Sequence, residues 1–202
     1  MLSLAIFHRA ILSGAGGFLA PSSSERAELA ILEGTQVVEN GALDAGISLL
    51  SAGKANGLVV VLHHPLREGQ VFALQEKYTG LIIDELARLG LERGKVQVIS
   101  APVDGHPITL AEAQFVVGEL SRNGVRSAIL VSKGFHARRS FGAYSQEGER
   151  VGLHVVPYSY FIEYERNAWW HEPQGVGDFV TESLKLAYYL FRGYVSMKSL
   201  WY

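Results

Sequence analysis

Cysteine is missing from all 202 residues, which removes disulfides, thiol nucleophiles and Cys-ligated metals from consideration. A charge excess is missing too. Eighteen Lys and Arg stand against 20 Asp and Glu, a net charge of -2 that gives no argument for nucleic acid as a partner. Internal repeats and low-complexity tracts are also lacking. No clean targeting segment opens the chain: Leu2 to Ala20 is rich in apolar and small residues, yet His8 and Arg9 interrupt it. A spanning helix wants about 20 mostly apolar residues, and a signal peptide carries its positive charge before the apolar run. The expectations for residues 1–24 are therefore a helix or arm packed on the domain and followed by a linker, or a vestigial membrane anchor.

What the chain has is the composition of a folded domain, 48% hydrophobic and 19% charged. From residue 25 onward it reads as one domain in which strand and helix patterns alternate. The apolar runs at 27–34, 57–64, 95–102, 126–132 and 152–158 are too continuous for half-exposed strands, so both faces should be covered. Helical periodicity fills the intervals at 41–54, 73–91, 109–124 and 137–146, the third opening on a Thr109-x-x-Glu112 capping box. Such alternation predicts an α/β fold, a Rossmann-like three-layer αβα sandwich with a mainly parallel sheet of about five strands. Thirteen of the 21 aromatic residues fall between Tyr158 and Tyr202. There a helical stripe of Val180, Leu184, Ala187, Tyr188 and Phe191 is expected to pack on the sheet; the alternatives are a wall over a pocket or an interfacial patch.

Ligands of open α/β sheets bind beyond the carboxyl ends of the strands. The residues predicted there are Glu33, Gly34 and Thr35 after the first strand, and His63 and His64 after the second. Asp104, His106 and Thr109 follow the third, and Ser132, Lys133, His136, Arg138 and Arg139 the fourth. A metal centre from His63 or His64, His106, His136 and Asp104 is conceivable, but no tight ligand spacing supports one. The fourth loop, "VSKGFHARRS" at 131–140, is the most specific. It sets cations at the start of a helix, where the peptide dipole disfavours them by about 0.3–1 kcal/mol. A bound anion would reverse that sign, with Ser132, His136 and Arg139 on it.

The segments "AELAILEGTQVVENGALDAGISLLSAGKANGLVVVL" and "APVDGHPITLAEAQFVVGELSRNGVRSAILVSKGFHARRSFGAYSQEG", with "WWHEPQGVGDFVTESLKLAYYLFRGY", resemble the YdcF-like domain, the family of SanA and ElyC. The likeness covers roughly residues 25–194. It implies a pocket formed by Thr109, Glu112, Ser132, His136 and Arg139, with Lys133 and Arg138 left at the surface, a link to the bacterial cell envelope, and S-adenosylmethionine as a cofactor in one branch. Two turns depart from the family pattern. Glu33-Gly34-Thr35 replaces a Gly-Gly turn and His63-His64-Pro65 a Ser-Gly-Gly turn, and both weigh against S-adenosylmethionine.

The leading expectation is a domain that binds an anionic small molecule, a phosphate-bearing envelope precursor or nucleotide-like ligand, with a transferase or hydrolase role. His136 and Glu112 are the catalytic candidates, and Glu33, Gly34, Thr35, His63, Asp104, Thr109, Ser132 and Arg139 the ligand-binding ones. The alternative is a non-catalytic envelope or regulatory protein whose aromatic C-terminal region makes a partner or peripheral membrane contact. A bacterial protein is expected, membrane-associated or cytoplasmic.

Overall fold

Five strands, β1 (Leu29–Thr35), β2 (Gly57–His64), β3 (Val96–Pro102), β4 (Ser127–Lys133) and β5 (His154–Tyr160), form one sheet in the order β3-β2-β1-β4-β5. Every pairing is parallel. The structure is a computed structural model that describes residues 2–35, 39–64, 72–102 and 107–201, without the side chains of 2–7, 35, 64 and 72–78. Helices α2 (Asn40–Ser51) and α3 (Phe72–Arg88) cover one face. Helices α4 (Ile108–Arg122) and α5 (Ala137–Val151) cover the other, joined there by α1 (Leu2–Leu19) and α6 (Pro173–Phe191).

Alternation along each strand feeds two cores. Ile31, Val59, Val61 and Leu130 face the α4–α5 side, while Ala30, Leu32, Val60 and Val131 face the α2–α3 side. With both faces closed, β-branched and aliphatic residues run on without polar interruption, the pattern seen in the sequence. The chain is thus a Rossmann-like three-layer α/β sandwich. Its strand order reverses between β1 and β4, which is where such sheets open a crevice.

Two segments outside the sheet pack differently from expectation. The start of "GFLAPSSSER" belongs to α1, whose Leu19 is buried together with Ala20. The extended residues after it run along β5: Ser23 N–H donates to Pro157 O at 2.8 Å, and Ser159 N–H to Ser22 Oγ at 2.9 Å. Among the described residues no helix is long and apolar enough to cross a membrane.

The stripe of α6 expected to pack on the sheet faces solvent instead. Val180, Leu184, Tyr188 and Phe191 are 50, 67, 49 and 89% exposed. Helix α6 starts earlier than its apolar pattern suggests, with Pro173 in its first turn, and buries Gly175, Glu182, Leu186 and Tyr189. Trp169 lies flat against Phe179 at 4.1 Å and donates its Nε1–H to Leu12 O at 3.1 Å. Much of the aromatic richness is therefore core.

Candidate functional site

Glu33 ends the regular pairing of β1, where the register against β2 slips between Leu32 and Thr35. Its carboxylate enters the gap between β1 and β4 with only 8% of the side chain exposed. Three residues of the α5 start meet it or its partners from one helical face: His136, Arg139 and Ser140, spaced i, i+3 and i+4. His136 Nε2 lies 2.8 Å from Glu33 Oε1, and Ser140 Oγ donates to the same oxygen.

The other side of the imidazole meets α6. His136 Nδ1 is 3.3 Å from Glu182 Oε2 and 2.7 Å from Arg139 Nη2. Arg139 donates to Glu182 Oε2 from Nε at 3.0 Å and from Nη2 at 2.9 Å. Its Nη1 donates to Thr109 Oγ1 at 2.9 Å. The result is a continuous chain, Glu33–His136–Glu182–Arg139–Thr109, that ties β1, α4, α5 and α6 together.

Burial works against charge on the His136 ring, but Glu33 and then Glu182 outweigh it and the opposing Arg139, raising its pKa to about 9. The Arg139 contact fits a neutral ring whose Nδ1 accepts. Two carboxylates against one guanidinium favour the charged ring at neutral pH. Burial likewise opposes the charge on Glu33 and Glu182, yet both lie below the ordinary carboxylate range because His136, and for Glu182 also Arg139, favour the anion.

Ser132, at the carboxyl end of β4, is 1% exposed. It helps hold the Glu33 carboxyl low, yet Ser132 Oγ and Glu33 Oε2 are both buried without a well-formed hydrogen bond. Such orphaned polar atoms are uncommon in protein interiors and mark a place where a further polar group fits.

A second cluster braces the first turn. Glu112, 1% exposed, accepts from Gly34 N–H at 3.1 Å and from Tyr144 Oη–H at 2.6 Å, and its other oxygen meets His63 Nε2. Gly34 is needed there by close approach: a Cβ would fall 2.5 Å from His63 Nε2 and 2.7 Å from Glu112 Oε2. Burial and Glu112 push the Tyr144 phenol well above its ordinary pKa, so it remains a donor. The described partners of Glu112 are therefore Gly34, Tyr144 and the candidate ligand residue His63.

The expected capping box does not form. Pro107, extended at φ -85 and ψ 131, is the N-cap, so the helix begins at Ile108 and Thr109 sits inside its first turn. Thr109 turns to Arg139 and Glu112 to Gly34. Of the two surface assignments, that of Arg138 changes. Arg138 is 4% exposed, donates to Phe18 O and Leu200 O, and stacks on Phe18 at 4.8 Å. Lys133 pairs with Glu163 at 2.8 Å and Glu39 at 3.1 Å. Asp104, His106 and Pro65 lie outside the described residues, as do the side chains of Thr35 and His64.

Glu182, Ser140 and Lys185 escaped sequence reasoning. Glu182 is the lone acid in the buried row of α6, between Gly175 and Leu186, a row that the sequence alone does not mark as the buried one. Ser140 lies 2.9 Å from His136 Nε2, across the ring from Glu182, in the order of a Ser-His-acid triad. It is fully buried and hydrogen-bonded to Glu33, so no substrate carbonyl can reach it. It supports the dyad.

Two cavities flank this chain and share Lys185. One, of about 350 Å³, carries both charges, with Lys133, His136 and Lys185 against Glu163, Asp178 and Glu182. The other, of about 510 Å³, is lined by Pro107, Ile108, Thr109, Arg139, Lys185 and three tyrosines. It has two cations and, among the described residues, no carboxylate. Both volumes are in the range that holds small molecules. Among the described residues no group of three or more His, Asp or Glu is arranged to hold a metal. Comparison with protein-family models and with curated proteins finds no match for this chain.

Proposed function

We propose that this chain binds an anionic small molecule at the carboxyl edge of the sheet, with its anionic group in the cavity bordered by Thr109, Arg139 and Lys185. The observation that carries the reading is the charge of that cavity: two cations, one of them a buried arginine, and no acid among its described lining residues. Arg139 is held rigid by Glu182 and Thr109, so little side-chain entropy is lost when a ligand arrives. Lys185, whose side chain is 51% exposed and pairs with Glu182 Oε1 at 2.8 Å, supplies a second cation at the cavity rim. His136 lines the neighbouring cavity and touches Arg139, so it is one residue removed from this anion site. A proton could reach the ligand only through the Arg139–Glu182 cluster; the chemistry open to such an arrangement is acid-assisted transfer or hydrolysis. The YdcF-like resemblance points to the same residues and to a phosphate-bearing envelope precursor or nucleotide-like ligand.

Calorimetry with inorganic phosphate and pyrophosphate tests this. The wild type is expected to bind, and Lys185→Ala to weaken binding roughly tenfold, the scale of one charge-assisted contact. Absence of binding in the wild type, or equal binding by the variant, would sink the proposal. Lys185 suits the test better than Arg139, because its side chain is 51% exposed whereas loss of the buried Arg139 would take two hydrogen bonds from the buried Glu182.

A second reading has one observation in its favour: the solvent-facing apolar row of α6, with Phe191 89% exposed. Rows of this kind are commonly contact surfaces, as the alternative of a partner or peripheral membrane contact requires. Vesicle flotation of the wild type beside Leu184→Gln/Phe191→Ser tests it. Equal flotation, or none by either protein, would remove the membrane form of this reading.

A further inference from the structure

We infer that the anion taken by the Arg139 cavity carries a planar aromatic ring, as an aryl carboxylate or aryl phosphate does. The inference rests on the anion reading above and adds the shape of the ligand. Tyr188, Tyr189 and Tyr194 line the same cavity as the cations. Their rings meet edge to face in all three pairs: Tyr188 and Tyr189 at 6.4 Å and 66°, Tyr188 and Tyr194 at 6.0 Å and 69°, Tyr189 and Tyr194 at 5.6 Å and 80°. Tyr189 is only 5% exposed and backs the other two, while Tyr188 and Tyr194 keep open surface at a steep angle, a corner that a further ring can enter by the same geometry. Rings prefer such tilted contacts because the positive edge of one lies on the negative face of another.

The cations are placed so that the corner stays apolar. Arg139 covers the Tyr189 face at 4.8 Å, while Arg192 lies 5.8 Å from the Tyr188 centroid and 5.4 Å from that of Tyr194. Each guanidinium takes ring face by cation–π contact, which fixes the tyrosines in place and leaves their edges and remaining surface to a ligand. One end of the cavity is therefore cationic, with Thr109, Arg139 and Lys185, and the other is aromatic. A bare phosphate uses only the first end. A saturated ring of equal size fills the second end but gains no edge-to-face attraction, so the ring's unsaturation is what the site can recognise.

Matched pairs decide it, titrated into the full chain by calorimetry: phenyl phosphate against cyclohexyl phosphate, 2-naphthoate against its decahydro analogue, and inorganic phosphate alone. The aryl member of each pair is expected to bind roughly tenfold tighter or better, from two or more added ring contacts. The phosphate and carboxylate pairs together show which head group the cations prefer. Tyr188→Leu and Tyr194→Leu are expected to bring each pair to parity while inorganic phosphate binding stays as it was. Tyr188 is 49% exposed, so its replacement leaves the fold intact. Equal binding of aryl and saturated ligands, or tyrosine variants that keep the preference, would overturn the aromatic inference and leave the anion reading standing. If no anion binds at all, both fall together.

Discussion

Arg139 stands at the first turn of α5, where the helix dipole disfavours a cation. In this structure the balance is restored by the protein's own anions. Glu182 from α6 takes two of the guanidinium donors, and Glu33 from β1 takes the neighbouring His136. The charges are buried, so each depends on its partner. His136 makes the dependence measurable. Its folded pKa is raised, so the stability it contributes is fully present below the unfolded value near 6.5 and is lost as pH rises through about 9. From pH 7 to 9.5 the wild type should lose about 2 kcal/mol of unfolding free energy from this group. Urea melts of wild type and His136→Gln across that window check it, since the variant should lack this part of the slope. Glu182 acts in the opposite direction: its carboxyl is held low, so its contribution is present above the ordinary glutamate pKa and fades as pH falls below it. The first turn of β1 offers a second test at this scale. Gly34→Ala drives a methyl against His63 and the buried Glu112, and should cost about 1–3 kcal/mol by the same melts. A loss under about 0.5 kcal/mol would mean that the brace yields freely.

At the scale of elements, α6 shows what periodicity can and cannot carry. Two apolar rows run along it, and the sequence offers no local reason to choose between them. The row with more aliphatic residues, Val180, Leu184 and Tyr188, is exposed, while the buried row contains a glutamate. That choice is made by tertiary partners: Arg139, His136 and Lys185 meet Glu182, and a carboxylate with three cationic neighbours can be buried. Paired substitutions read the orientation directly. Leu186→Ala should cost about 2–5 kcal/mol, whereas Leu184→Ala should stay within about 0.5 kcal/mol. The reverse result would place the other face on the core. The five strands were legible for a simpler reason, because sheets covered on both faces need unbroken apolar runs and helices need 3.6-residue spacing. Thr109, Ser132, His136 and Arg139 could be singled out because they follow strand ends. Their partners could not, since Glu182 lies 43 residues from Arg139 and Glu112 lies 78 from Gly34. Pairing across such distances leaves no mark in a local pattern.

Across the whole molecule, Arg138 joins what the sequence keeps farthest apart. The family resemblance left it at the surface. It became a core residue because two carbonyls, Phe18 O near the end of α1 and Leu200 O near the chain's end, converge on it, and because Phe18 and Trp201 lie against its guanidinium at 4.8 and 5.7 Å. Carbonyls at segment ends lack partners of their own, and a buried guanidinium satisfies several of them at once. The two ends of the chain are thereby fastened to the helix that carries His136 and Arg139. Arg138→Met keeps much of the volume but removes the donors, so both carbonyls lose a charge-assisted bond, at a cost of about 3 kcal/mol. The loss should be uneven. Hydrogen exchange in 8–20 and 195–201 should accelerate well beyond that in β1 and β4, because the sheet keeps its own pairing. Uniform acceleration would show instead that the terminal segments and the sheet open as one unit, and that the site at the β1–β4 crevice depends on the clamp.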